Sequence, residues 1–151
     1  MNNSKLAVFL TSLILTACAT QPTGPSLGEM LDQGATLVTR AQLVALLSGK
    51  TLDTLSPSGQ AQSKLTFLQD GTFTGTVQAL TGSSRGAVSR SSGKWTVDVD
   101  GKWCLDERLL DWNMRNTYCQ YIFMLQDKVI RSESSTDRNA RVFIRERSDL
   151  K

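Results

Sequence analysis

Chemistry in a small chain is most often carried by histidine, by thiols or by paired carboxylates, and these 151 residues supply them unevenly. Histidine is absent from the sequence, which removes His-based triads, His-ligated zinc and most general-base schemes. The carboxylates have a more suggestive spacing. Counted from Thr96, TVDVDGKWCLDE places Asp98, Asp100, Gly101 and Glu107 at the third, fifth, sixth and twelfth positions of a calcium loop. Thr96 stands where such a loop has Asp, and Trp95, Val97 and Val99 alternate like a strand, whereas a calcium loop is flanked by helices. A β-turn with solvated carboxylates is therefore preferred to a metal site. A paired-carboxylate hydrolase could draw on Asp98, Asp100, Asp106, Glu107 or Asp111. These residues fall at turn ends, where acidic side chains are usually just solvated. The expectation is no catalysis, no metal and no cofactor.

The cysteines divide into one and two. Cys18 follows a polar head bearing Lys5 and an apolar run from Leu6 to Leu15, too short to cross a bilayer as a helix. That is the layout of a secretory signal peptide. Its ending, LTAC, places Leu15, Thr16 and Ala17 directly before the cysteine and resembles the bacterial lipobox. The resemblance implies that residues 1–17 are removed and that Cys18 is lipidated, with Ala19 after it implying the outer membrane. The alternative is an ordinary signal with a chance cysteine near its cleavage site. Two or three acyl chains would make attachment effectively permanent. In an exported protein the remaining pair, Cys104 and Cys119, most simply forms one disulfide.

The elements that would position these residues are mostly strands. Residues 18–38, with prolines and glycines in ATQPTGPSLG, read as a flexible tether, apart from a possible helical turn in GEMLDQGA. Up to Thr39 it could span at most roughly 70 Å. Residues 39–151 then form a single small β domain. A helix is signalled at VTRAQLVALLSG: Thr39 and Gln42 make a capping box, Val38 and Leu43 a staple, and Gly49 a stop. Leu43, Leu46 and Leu47 share one face of it.

Beyond Lys50 the pattern alternates with period two and predicts strands near 51–55, 63–69, 72–79, 86–90, 94–99, 102–106, 118–125, 128–133 and 141–145. The fold class is mainly β with one short N-terminal helix, an antiparallel meander. In LTFLQDGTFTGTV, a three-residue loop with Gly71 as a bulge pairs Phe67 with Phe73 and puts Leu65, Phe67, Phe73 and Val77 on one face. For GKWTVDVDGKWCLDE, a two-residue Asp100-Gly101 turn is preferred; it aligns Trp95, Val97 and Cys104 toward Cys119, Tyr121 and Phe123. A three-residue loop would instead bring Trp103 to that face and send Cys104 outward.

The order LVALLSGKT, FLQDGTF, GKWTVDVDGKWC, second cysteine and final strand resembles a group of secreted bacterial proteins known only as a domain of unknown function. The resemblance runs from about Leu43 to about Arg145 and implies a short helix on a half-barrel or calycin-like sheet. Leu52 departs from the family's aromatic, and LTGSSRGAVSRSSG is a longer, serine-rich insert. Gly93-Lys94-Trp95 also resembles the lipocalin G-x-W, which lipocalins carry on the first strand and this chain carries centrally. No catalytic residue is implied by either likeness.

Charge points to no nucleic acid partner: 17 Lys and Arg stand against 14 Asp and Glu, and Lys5 is lost with the signal. Aromatic content points to binding. Trp95, Trp103, Trp112, Tyr118, Tyr121 and Phe123 cluster in sequence around the two cysteines, either as core or as the lining of a pocket or interface. The leading expectation is a lipid-anchored, non-catalytic module binding a small apolar ligand or an envelope component. A tethered inhibitor of a protease or lysozyme, using the serine-rich loop with Arg85 and Arg90, is one alternative. A structural envelope lipoprotein is another.

Overall fold

The computed structural model describes residues 24–56 and 58–146, so Cys18 and the apolar run before it lie outside the described residues. In chain order come α1 (Leu27–Asp32), β1 (Thr36–Leu37), α2 (Arg40–Leu47), β2 (Thr51–Leu55), β3 (Ala61–Phe67), β4 (Thr72–Ala79), β5 (Val88–Val97), β6 (Trp103–Leu109), β7 (Met114–Leu125), β8 (Lys128–Ser132) and β9 (Val142–Glu146). From β2 to β9 each strand pairs antiparallel with the next, and the sheet curls into a half-barrel. β7 is its corner: Met114 to Gln120 pair with β6, while Tyr121 to Leu125 pair with β8. The expected antiparallel meander is what forms, with two short helices in place of one.

The two Asp-Gly hairpins share one geometry. Phe67 stands opposite Phe73, and Val97 opposite Trp103. In each loop the glycine, Gly71 or Gly101, has a left-handed φ of 82° or 83°. Asp70 accepts from the Thr72 N–H at 2.9 Å, and Asp98 from those of Asp100 and Lys102 at 3.0 and 2.8 Å. The first pairing is the expected one. The second corrects the two-residue turn: Trp95, Val97, Trp103 and Leu105 share the concave face, and Cys104 points outward. The larger apolar side chain wins the buried phase, since an indole buries far more surface than a thiol.

The interior is built around Phe67. Its ring lies 6.0 Å from Trp95 and 5.8 Å from Trp103, both edge-on, and 5.7 Å from Phe73. Val38, Leu43, Leu47, Leu65, Leu105 and Ile122 complete this concave core. α2 lies over it, started by the Thr39 and Gln42 capping box as expected.

β6 and β7 run longer than expected, to Leu109 and from Met114, and two further boundaries differ from the sequence reading. β5 is one strand where two were expected, because Ser91-Ser92-Gly93 resembles a turn. Gly93 instead lets the chain pass close to Asp106, whose backbone occupies the space a Cβ would need. The stretch expected as tether is folded from Ser26 onward. Ser26 and Glu29 form a complete capping box, Ser26 bridges to Arg141, and Leu27 is fully buried. With Met30, Ala35, Phe123, Ile130 and Val142 it makes a second core on the convex face of β7, β8 and β9.

Candidate functional site

Alternation along β7 sends Ile122 and Met124 to the concave side and Phe123 to the convex side, and β8 does the same with Val129 and Arg131 against Ile130. Because α2 is only eight residues long, it covers the concave side incompletely. A cavity of about 380 Å³ remains between α2 and the curled sheet. Its walls are Leu43, Leu46 and Leu47 from α2, Leu52 from β2, Phe67 from β3, Trp103 from β6, Tyr118, Ile122 and Met124 from β7, and Val129 from β8. Leu46 is 48% exposed, so the cavity is open to solvent on the helix side.

The charged part of the wall is cationic. Lys50, Arg131 and Arg145 line the cavity, and among the described residues no carboxylate does. The Arg131 Nη2 donates to the Leu55 carbonyl at 2.8 Å, and the Arg145 Nη2 to the Ser56 carbonyl at 3.3 Å. These contacts tie β8 and β9 to the end of β2, where no backbone ladder among the described residues closes the half-barrel. Burial pushes the Arg131 pKa below the usual guanidinium value, and the charge of Arg145 pushes the same way. Tyr118 keeps 40% of its surface exposed, but burial of its hydroxyl raises the phenol pKa, and the Glu107 carboxylate adds to the rise.

Three buried nitrogens find no acceptor among the described residues: Trp103 Nε1, Gln120 Nε2 and Arg145 Nε. Buried polar groups are nearly always paired, so three unpaired donors are informative. Two of them belong to cavity-lining residues.

Of the aromatic candidates, Trp103 lines the cavity, and Tyr118 joins it. Trp95 is buried in the same core, where its indole N–H is shared by the carbonyls of Leu68 and Thr72, both at 3.1 Å. Trp112 lies half-buried in the turn between β6 and β7. Tyr121 and Phe123 face the other way, into the core under α1, with the Lys102 ammonium 5.7 Å above the Tyr121 ring. Cys104 and Cys119 stand directly opposite each other and are bonded, with Cα atoms 4.1 Å apart. Cys18 lies outside the described residues. Arg131 and Arg145 were not singled out from the sequence, although KVIRS and RVFIRE carry a signal: each places an arginine in phase with the inward residues of its strand.

Of the carboxylates considered for chemistry, Asp98, Asp106, Glu107 and Asp111 are engaged separately, and Asp100 is exposed in its turn. Asp98 holds its own turn. Asp106 pairs with Arg115 at 2.7 Å and Asp111 with Arg90 at 2.9 Å, both at the surface. Glu107, expected to be solvated at a turn end, is instead 6% exposed within β6 and accepts from the Ser91 hydroxyl at 2.6 Å. No protein-family model, curated protein or solved structure matches this chain.

Proposed function

We propose that this protein is a non-catalytic binding module for a small apolar ligand, held at the outer membrane of a bacterial envelope through a lipidated Cys18. The observation that carries the reading is the cavity of about 380 Å³ under α2. Small-molecule sites usually enclose about 300–1,000 Å³, lined mainly by apolar and aromatic side chains with a few polar groups. Leu46, Leu52, Phe67, Ile122, Met124 and Val129 provide such a wall here. The anchor reading rests on the residues before Cys18. It would give the module a high effective concentration near membrane ligands, so a modest intrinsic affinity would suffice.

The inhibitor alternative draws less support. Residues 81–88 are exposed as an interaction loop would be, but Arg90, one of its two candidate cations, is paired with Asp111.

A titration with a neutral apolar dye tests the binding reading on Cys18→Ser protein, which carries no acyl chains of its own. Saturable binding is expected, weakened on the order of tenfold by Ala45→Trp, because Ala45 is exposed on α2 and borders the cavity. Absence of saturable binding would overturn the reading and leave the structural-lipoprotein alternative. Fractionation of cells making wild-type or Cys18→Ser protein checks the anchor, which predicts a shift from membrane to soluble fraction.

A further inference from the structure

An apolar cavity needs no arginine, and this one has two on adjacent strands. Arg131 stands opposite Phe143 and Arg145 opposite Val129, so the two are diagonal neighbours on the concave face of β8 and β9. Diagonal side chains on one face lie within reach of each other. Like charges so placed repel unless an anion lies between them, and burial increases that repulsion. Each guanidinium has five N–H donors. The backbone carbonyls of Leu55 and Ser56 take one Nη2 from each, and the Arg145 Nε is buried without an acceptor among the described residues. Trp103, 8% exposed and on the same cavity wall, also leaves its Nε1 donor unused.

The Glu107 carboxylate acts electrostatically on Tyr118 of this wall, and it already accepts from Ser91. The two buried nitrogens of this wall that lack an acceptor among the described residues are thus both donors, beside cationic side chains and an apolar space.

We propose that the ligand is a single-chain amphiphile with an oxyanion head, a carboxylate or a phosphate. The head sits on Arg131 and Arg145, and the alkyl chain lies along Leu52, Ile122, Met124 and Val129 beneath Leu46. Guanidinium groups bind both head types through paired, charge-assisted hydrogen bonds. This inference rests on the apolar-ligand reading and deepens it: the chain supplies the burial and the head supplies the orientation.

The test compares ligands that share one chain. Dodecanoate, dodecyl phosphate and dodecanol are titrated into Cys18→Ser protein by calorimetry below their aggregation concentrations. At least one anion should bind on the order of tenfold more tightly than the alcohol, and the tighter of the two identifies the head. Arg145→Gln should remove most of that preference. Since Arg145 also ties β9 to β2, the wild-type comparison of ligands stands even where the variant fails to fold. Equal binding of all three would overturn the oxyanion head and leave the apolar cavity reading intact. Binding of none would overturn both.

Discussion

The strands β7, β8 and β9 carry two cores, one on each face, and the cores are finished differently. Under α1 the convex face is closed: Leu27 and Ile130 are 0% exposed and Phe123 1%. Under α2 the concave face is left open enough to hold a cavity, and arginines stand in the phase that an apolar residue would fill. Both helices are short and both begin with a complete capping box, so helix quality does not separate them. The separation comes from what each helix is asked to cover. α1 lies on the convex side of three strands, whereas α2 spans the mouth of a curled sheet that is wider than the helix. On these three strands the convex face is filled, and the concave face keeps room for a ligand.

Neighbouring substitutions on β7 offer the sharpest way to break this division. Phe123→Ala opens a hole in the closed core and should cost about 3–5 kcal/mol, whereas Met124→Ala, beside space that is already empty, should cost about 2 kcal/mol. Urea denaturation measures both. Ligand titration should show the reverse order, with Met124→Ala altering affinity and Phe123→Ala, where folded, leaving it alone. Equal stability costs would mean that the two faces are packed alike.

The disulfide extends the closed side. Cys119 shares the outward phase of β7 with Tyr121 and Phe123, and its bond to Cys104 closes a sequence separation of 15. Replacing both cysteines by Ser should lower stability by about 2–4 kcal/mol in the chain-entropy view. Affinity for a concave-face ligand should be retained, as measured on the folded variant.

The smallest expected effect lies away from both cores. The Arg90 hydrogen bond holds the Asp111 carboxyl down to about 2 from its ordinary 3.8. A depressed carboxyl contributes stability above its unfolded pKa and loses it as the pH falls through the folded one. Melting temperatures of wild type and Asp111→Asn should therefore differ slightly at neutral pH and converge between about 3.8 and about 2. The pair is exposed and should weaken further in salt.

Much of the strand order could be read from period-two alternation, and the Phe67 and Phe73 register from the wish to bury four apolar residues together. The same reasoning missed the second hairpin because the disulfide was given more weight than Trp103, although Gln69-Asp70-Gly71 and Val99-Asp100-Gly101 are alike in chemistry and adopt the same loop. Alternation also tells which residues share a face without telling which face is concave. For that reason Trp103 could be grouped with Tyr121 and Phe123, which the fold sends to the opposite side. The inward arginines were hidden for a related reason, since their neighbours become a cavity wall only when β2 curls back toward β9. α1 was obscured by Gly28 within it and by the prolines and glycine just before it. Its Ser26 and Glu29 box was present, but a helix this short is held by the burial of Leu27 and Met30, a tertiary effect that no local propensity reports.

The docking of α1 has a consequence for reach. A tether running to Thr39 would be a long leash, whereas the chain is already fixed to the sheet at Ser26 through its bridge to Arg141. With a lipid at Cys18, the chain between it and Ser26 could reach at most roughly 28 Å. The domain would then patrol only a thin layer next to the bilayer, about one domain diameter deep. Whatever enters the cavity would have to come from that layer, and lengthening the leash by inserting residues before Ser26 would widen the territory without touching the site.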